Sequence, residues 1–142
     1  LGRVRTGRQG RVGREVFRQL AGAGLHGFPV SGHWSDAGTR DSYLAANAML
    51  LEHEATAAHP GASVRGNALI AADAEITSSI VGPDTVIGAG VSLDKFVVRR
   101  SVLLTGASAT GADIEDCILG PGVAVEGDRS PIVLAAEGEL RF

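Results

Sequence analysis

From Val64 onward the apolar positions recur in sixes. Val64, Ile70, Ile76, Val81, Ile87 and Leu93 follow one another at intervals of 6, 6, 5, 6 and 6. Small or turn-forming residues fill the gaps, among them Gly66, Asn67, Asp73, Gly82, Pro83, Asp84, Gly88 and Gly90. Six is neither the 3.6-residue period of a helix nor the two-residue alternation of a half-buried strand. It is the hexapeptide period of a parallel β-helix, in which each sixth side chain points into a narrow prism. Short strands then stack coil on coil at about 4.8 Å, each satisfying the backbone groups of the one below. The alternative all-β reading is an ordinary sandwich.

A longer self-similarity supports the prism. Ser79-Ile80-Val81-Gly82-Pro83-Asp84-Thr85 recurs as Ser101-Val102-Leu103-Leu104-Thr105-Gly106-Ala107, and again as Cys117-Ile118-Leu119-Gly120-Pro121-Gly122-Val123. The spacings, 22 and then 16, are unequal, so Asp94–Arg100 is expected to bulge out as a loop. Glycine, asparagine and aspartate suit the corners, where positive φ is needed. The interior is expected to be too thin for large rings, in keeping with 4% aromatic residues.

Residues 14–56 read differently, as mixed α/β. Glu15 to Leu20 predicts a short helix that stops at Gly22 and Gly24. Leu25 to Val30 predicts a short strand, and Gly32 to Gly38 a loop. From Asp41 to about Glu54 the period is helical, with Tyr43, Leu44, Asn47, Leu50 and Leu51 on one stripe. Thr39 or Asp41 can cap its first turn, and Pro60 lies in the linker that follows.

Residues 1–13 are rich in Arg and Gly with no hydrophobic period. The first 20 residues hold six arginines and one acid, a charge of +5 against −8 for the rest and −3 for the whole. A phosphate-touching arm is one reading; a solvated linker or domain remnant is preferred, because no aromatic interleaves the arginines. Gly7, Gly10 and Gly13 do not form G-x-G-x-x-G. The net charge argues against nucleic acid as partner, and no apolar run is long enough for a membrane span. A lone cysteine, Cys117, excludes an intramolecular disulfide and fits a cytoplasmic setting. The chain begins at Leu1, and its one methionine is Met49, so it is expected to be a piece of a longer protein.

Gly32-His33-Trp34-Ser35-Asp36-Ala37-Gly38-Thr39, followed by Ser42-Tyr43-Leu44-x-Ala46-Asn47, resembles the closing motif of sugar-1-phosphate nucleotidyltransferases. These NDP-sugar pyrophosphorylases carry G-x-W-x-D-x-G-T and then a Tyr-Leu-x-Ala-Asn helix. A subset, mannose-1-phosphate guanylyltransferases among them, continues directly into hexapeptide repeats. The resemblance implies a left-handed parallel β-helix over residues 62–127, mainly β, preceded by an α/β remnant of the nucleotidyltransferase domain. It implies that Asp36 helps hold Mg²⁺ between nucleotide and sugar phosphates; Trp34 reads most simply as a core anchor for the loop. It also implies homo-oligomerisation or effector binding through the β-helix, for which the apolar tail Pro131-Ile132-Val133-Leu134, Leu140 and Phe142 within residues 128–142 is a candidate cap.

Position 33 is His where the family has an aromatic, and Ser35 replaces an apolar residue. The Gly-rich nucleotide loop of the family is absent from these 142 residues; Gly38-Thr39-Arg40 belongs to the closing motif. No catalytic residue is therefore assigned. NTP and sugar 1-phosphate are expected as ligands only when that domain is supplied. Other β-helix enzymes need a histidine base or three zinc-binding histidines within the coils. Here His26, His33, His53 and His59 all precede the first coil, and the last two are expected to face solvent. Cys117 aligns with Ser79 and Ser101 and reads as a small structural residue. A non-catalytic assembly or regulatory module is the alternative function.

Overall fold

The computed structural model describes residues 16–53 and 58–127. The Arg/Gly-rich start and the apolar tail lie outside the described residues. The chain divides into two compact units between Trp34 and Ser35.

In the first unit a single helical turn, α1 (Arg18–Leu20), ends in a turn through Gly22 and Gly24, both at positive φ. The strand expected at Leu25–Val30 does not form: the segment has no ladder partner among the described residues, and Phe28 is 89% exposed. β-branched and aromatic residues favour a pleated surface only where a neighbouring strand exists to pack against.

The second unit opens with α2 (Arg40–Leu51), somewhat shorter than the period predicted. Thr39 is its cap: the Thr39 side chain accepts from the Ser42 N–H at 3.2 Å, and the Ser42 hydroxyl accepts from the Thr39 N–H at 3.0 Å. This reciprocal capping box satisfies two of the helix's orphan donors.

Among the described residues twelve strands of two or three residues follow. They are β1 (Ala62–Val64), β2 (Ala68–Ile70), β3 (Glu75–Thr77), β4 (Ser79–Val81), β5 (Thr85–Ile87), β6 (Ser92–Asp94), β7 (Val97–Arg99), β8 (Val102–Leu103), β9 (Ser108–Thr110), β10 (Asp113–Glu115), β11 (Ile118–Leu119) and β12 (Ala124–Glu126). Every pairing is parallel. The three sheets run β1-β4-β7-β10, β2-β5-β8-β11 and β3-β6-β9-β12, so three strands make one coil and four coils make a parallel β-solenoid.

The six-residue rhythm becomes three inward columns. Val64, Val81, Val98 and Ile114 line the first sheet; Ile70, Ile87, Leu103 and Leu119 the second; Ile76, Leu93, Ala109 and Val125 the third. Each fully buried aliphatic contributes about 1.5–3 kcal/mol, and the columns form one continuous cluster.

The bulge expected at Asp94–Arg100 is not there. Val97–Arg99 is β7, paired with β4 and β10, and Phe96 and Val98 are fully buried. The side of the prism from Leu93 to Val98 spans five residues, as the side from Ile76 to Val81 does. The next side, Val98 to Leu103, spans five where Val64–Ile70 and Val81–Ile87 span six, so the count changes without breaking the ladder. Phe96 also corrects the expectation that no ring fits inside. It stacks between Ser79 in the coil before and Ala112 in the coil after, and these two small residues leave room for it.

The 22-residue spacing has a structural meaning. Ser79 stands at the corner entering the first sheet, whereas Ser101 and Cys117 stand at the corner entering the second. The shift is one coil plus one side of the prism. Both serines do the same work: each hydroxyl donates to the carbonyl two residues back and accepts an N–H from the next coil. For Ser79 the partners are Thr77 and Phe96, at 2.8 and 3.1 Å. For Ser101 they are Arg99 and Cys117, at 2.6 and 3.0 Å. Cys117 is buried, and its Sγ lies 3.1 Å from the Glu115 carbonyl, in line with a structural role.

Candidate functional site: a cleft between helix and corner

The corners set out the surface chemistry. At the corner entering the second sheet, Asp84, Arg100 and Asp116 occupy equivalent positions in three successive coils, all left-handed at φ 51°, 44° and 55°. Asp tolerates this region, while Arg does so at a cost. The backbone is stacked here too, with Arg100 N–H donating to the Pro83 carbonyl at 2.8 Å and Asp116 N–H to that of Arg99 at 3.3 Å. The result is an acid-base-acid ladder on one edge of the prism.

Helix α2 lies beside this edge. It touches β5, and Leu51 of the helix and Val102 of β8 are buried although both lie outside the interior cluster. Between α2 and the edge runs a cleft of about 410 Å³. One wall is Leu44, Ala45 and Ala48 of the helix, and the other is the Asp84–Arg100–Asp116 ladder. Arg40 and Asp41 close the end at the helix start.

Both guanidinium groups are already engaged. Arg100 grips Asp116 with a fork, Nε to Oδ1 at 2.9 Å and Nη2 to Oδ2 at 2.8 Å, while its Nη1 meets Glu115. Arg40 binds its neighbour, with Nε donating to Asp41 Oδ1 at 2.8 Å. The Arg100 hydrogen bonds pull the Asp116 carboxyl below its ordinary value, against the upward push of partial desolvation; the positive charges of Arg100 and Arg40 pull the same way. Asp84, half-buried, makes no side-chain hydrogen bond or ion pair among the described residues.

Asp36, the expected Mg²⁺ ligand, is not in this cleft. It is exposed, and its Oδ1 accepts a long 3.4 Å bond from the Gly38 N–H, a local turn that leads into the Thr39 cap. Among the described residues no group of three or more His, Cys, Asp or Glu side chains could hold a metal. Mg²⁺ is held by one or two carboxylates together with phosphates and waters, and the Asp36 carboxylate is exposed.

Trp34, expected as a loop anchor, is 78% exposed, and so does not anchor the loop within the described residues. His59, expected to face solvent, is half-buried and bridges instead: its Nδ1 accepts from the Gly61 N–H at 3.2 Å, which leaves Nε2–H to donate to the Ala74 carbonyl at 3.2 Å. The sequence carries one signal of the cleft, the 16-residue spacing of Arg100 and Asp116.

No helix among the described residues is long and apolar enough to cross a membrane. No protein-family model and no curated protein matches this chain.

Proposed function

We propose that residues 14–127 are the closing segment and left-handed β-helix of a sugar-1-phosphate nucleotidyltransferase, whose Gly-rich nucleotide domain is a separate, preceding part of the protein. The observation that carries the reading is continuity. Asp36, the capped helix with Tyr43, Leu44, Ala46 and Asn47, and four solenoid coils form one unit in the order the resemblance implies. In the complete enzyme a sugar-phosphate oxygen attacks the α-phosphorus of an NTP and pyrophosphate leaves. Asp36 would supply one oxygen to the Mg²⁺ that neutralises the gathering charge. The β-helix would join copies of the chain, because an uncapped solenoid end offers unpaired strand edges.

A non-catalytic assembly or regulatory module is the second reading, favoured by the parallel ladders of the solenoid, whose end strands carry backbone groups suited to pairing with a partner. Pyrophosphate release separates the two. The 142-residue chain is assayed with Mg²⁺, each NTP and a panel of sugar 1-phosphates, alone and with a Gly-rich nucleotidyltransferase domain added or fused ahead of it. Turnover that needs the added domain and is lost in Asp36→Ala supports the enzyme. Turnover indifferent to Asp36, or none in either arrangement, favours the module.

A further inference from the structure

We propose that the cleft between α2 and the solenoid edge binds a small organic cation, an alkylammonium or alkylguanidinium head on an aliphatic stem, with Asp84 as its counter-ion. Three observations converge on this class. Asp84 is a half-buried carboxylate with no side-chain partner among the described residues, and it faces the cleft. A carboxylate partly withdrawn from water gains most from a charge-assisted hydrogen bond. The opposite wall, Leu44, Ala45 and Ala48, is apolar and suits methylene groups rather than a second polar ligand.

The alternatives fit less well. An anion would have to displace carboxylates from both Arg40 and Arg100, and the lining carries three aspartates against these two arginines. A hard metal ion needs several free oxygens, but Asp41 and Asp116 are already bound to guanidinium groups. An organic cation needs one free carboxylate and a greasy wall, and the cleft has both.

The test is a titration of the full chain with agmatine and with n-butylamine, followed by amide chemical shifts. Saturable shifts at Ala45, Ala48 and Asp84 are expected, weakened about tenfold or more in Asp84→Asn. Asn tolerates the left-handed backbone at this corner, so the variant keeps its fold. Ala45→Leu, at an exposed helix position, narrows the cleft without touching the carboxylate and should weaken binding as well. N-acetyl-arginine amide separates the sources: saturation by it as well as agmatine points to a side chain of a partner protein, and saturation by agmatine alone to a free amine. The proposal is overturned if the wild-type chain shows no saturable shift in the millimolar range, or if Asp84→Asn binds unchanged. It is also overturned if pyrophosphate, and not the amines, moves these amides.

Discussion

Arg100 and Asp116 stand at the same corner of consecutive coils, 16 residues apart, and are joined by a two-bond fork of 2.9 and 2.8 Å. Neither could reach the other in an extended chain; the solenoid pitch brings them together. The pair clamps the third coil to the fourth on the outside, as Ser101 and Cys117 do on the inside one residue further along.

Breaking this fork should have a small effect with a distinctive pH dependence. Asp116→Asn keeps the shape and the left-handed backbone, and should cost about 0.5–1 kcal/mol at neutral pH, since both groups are well exposed. The native carboxyl titrates lower than the unfolded one, which lies near 3.8. Its contribution is therefore complete above that value and disappears as the pH falls through the lowered native value. Urea unfolding at neutral and acid pH checks this: wild type and variant should differ near pH 7 and converge in acid.

Ser101→Ala should be costlier than its size suggests. The substitution leaves the buried Cys117 N–H without the 3.0 Å partner it has now and removes a bond to the Arg99 carbonyl. Losing a buried hydrogen bond from one side only costs about 1–3 kcal/mol. Ser101→Thr, which retains the hydroxyl, should recover part of the loss in the same unfolding measurement.

Two glycines should respond differently to alanine. A Cβ at Gly88 would lie 2.8 Å from the Leu103 carbonyl oxygen and 3.2 Å from the Thr105 nitrogen, both backbone atoms of the next coil. That clash cannot be relieved without separating coils, so Gly88→Ala should cost about 3 kcal/mol or more. Gly106 has open space around it and only a positive φ of 70° to respect, so Gly106→Ala should cost about 1–2 kcal/mol. Thermal unfolding of the two variants should rank them in that order.

At the helix start, Thr39→Ala removes one half of the capping box and should cost about 1 kcal/mol. Asp36→Ala, three residues earlier, loses only the exposed 3.4 Å turn bond and should stay within about 0.5 kcal/mol. A thermal scan that showed the opposite order would mean that Asp36 has a structural task beyond that turn.

The solenoid was legible because its signal is local and repeated. An aliphatic residue every five or six positions, with small residues at the corners, states both the coil and its interior, and Val64 through Leu93 point where that pattern put them. The same pattern failed at Asp94–Arg100 because the side that follows, Val98 to Leu103, is five residues where its counterparts in the earlier coils are six. Charged neighbours then masked Phe96, which sits level with Ser79 and Ala112 in other coils, and Val98, which sits between Val81 and Ile114. The Leu25–Val30 strand failed for a related reason, since residue preferences cannot supply a partner strand.

What the sequence determined by itself was the period, the capped helix and the stacking of short parallel strands, because each is fixed by residues within one coil or one turn. The tertiary structure alone decided which distant residues share a corner: Asp84 with Arg100 and Asp116, Ser101 with Cys117, and the face of α2 with the edge of the prism. Those relations depend on the summed length of every side and turn between them, so one shortened side shifts every later position in the count by one. The cleft, and the place of Asp84 on its wall, exist only once that sum has been taken in three dimensions.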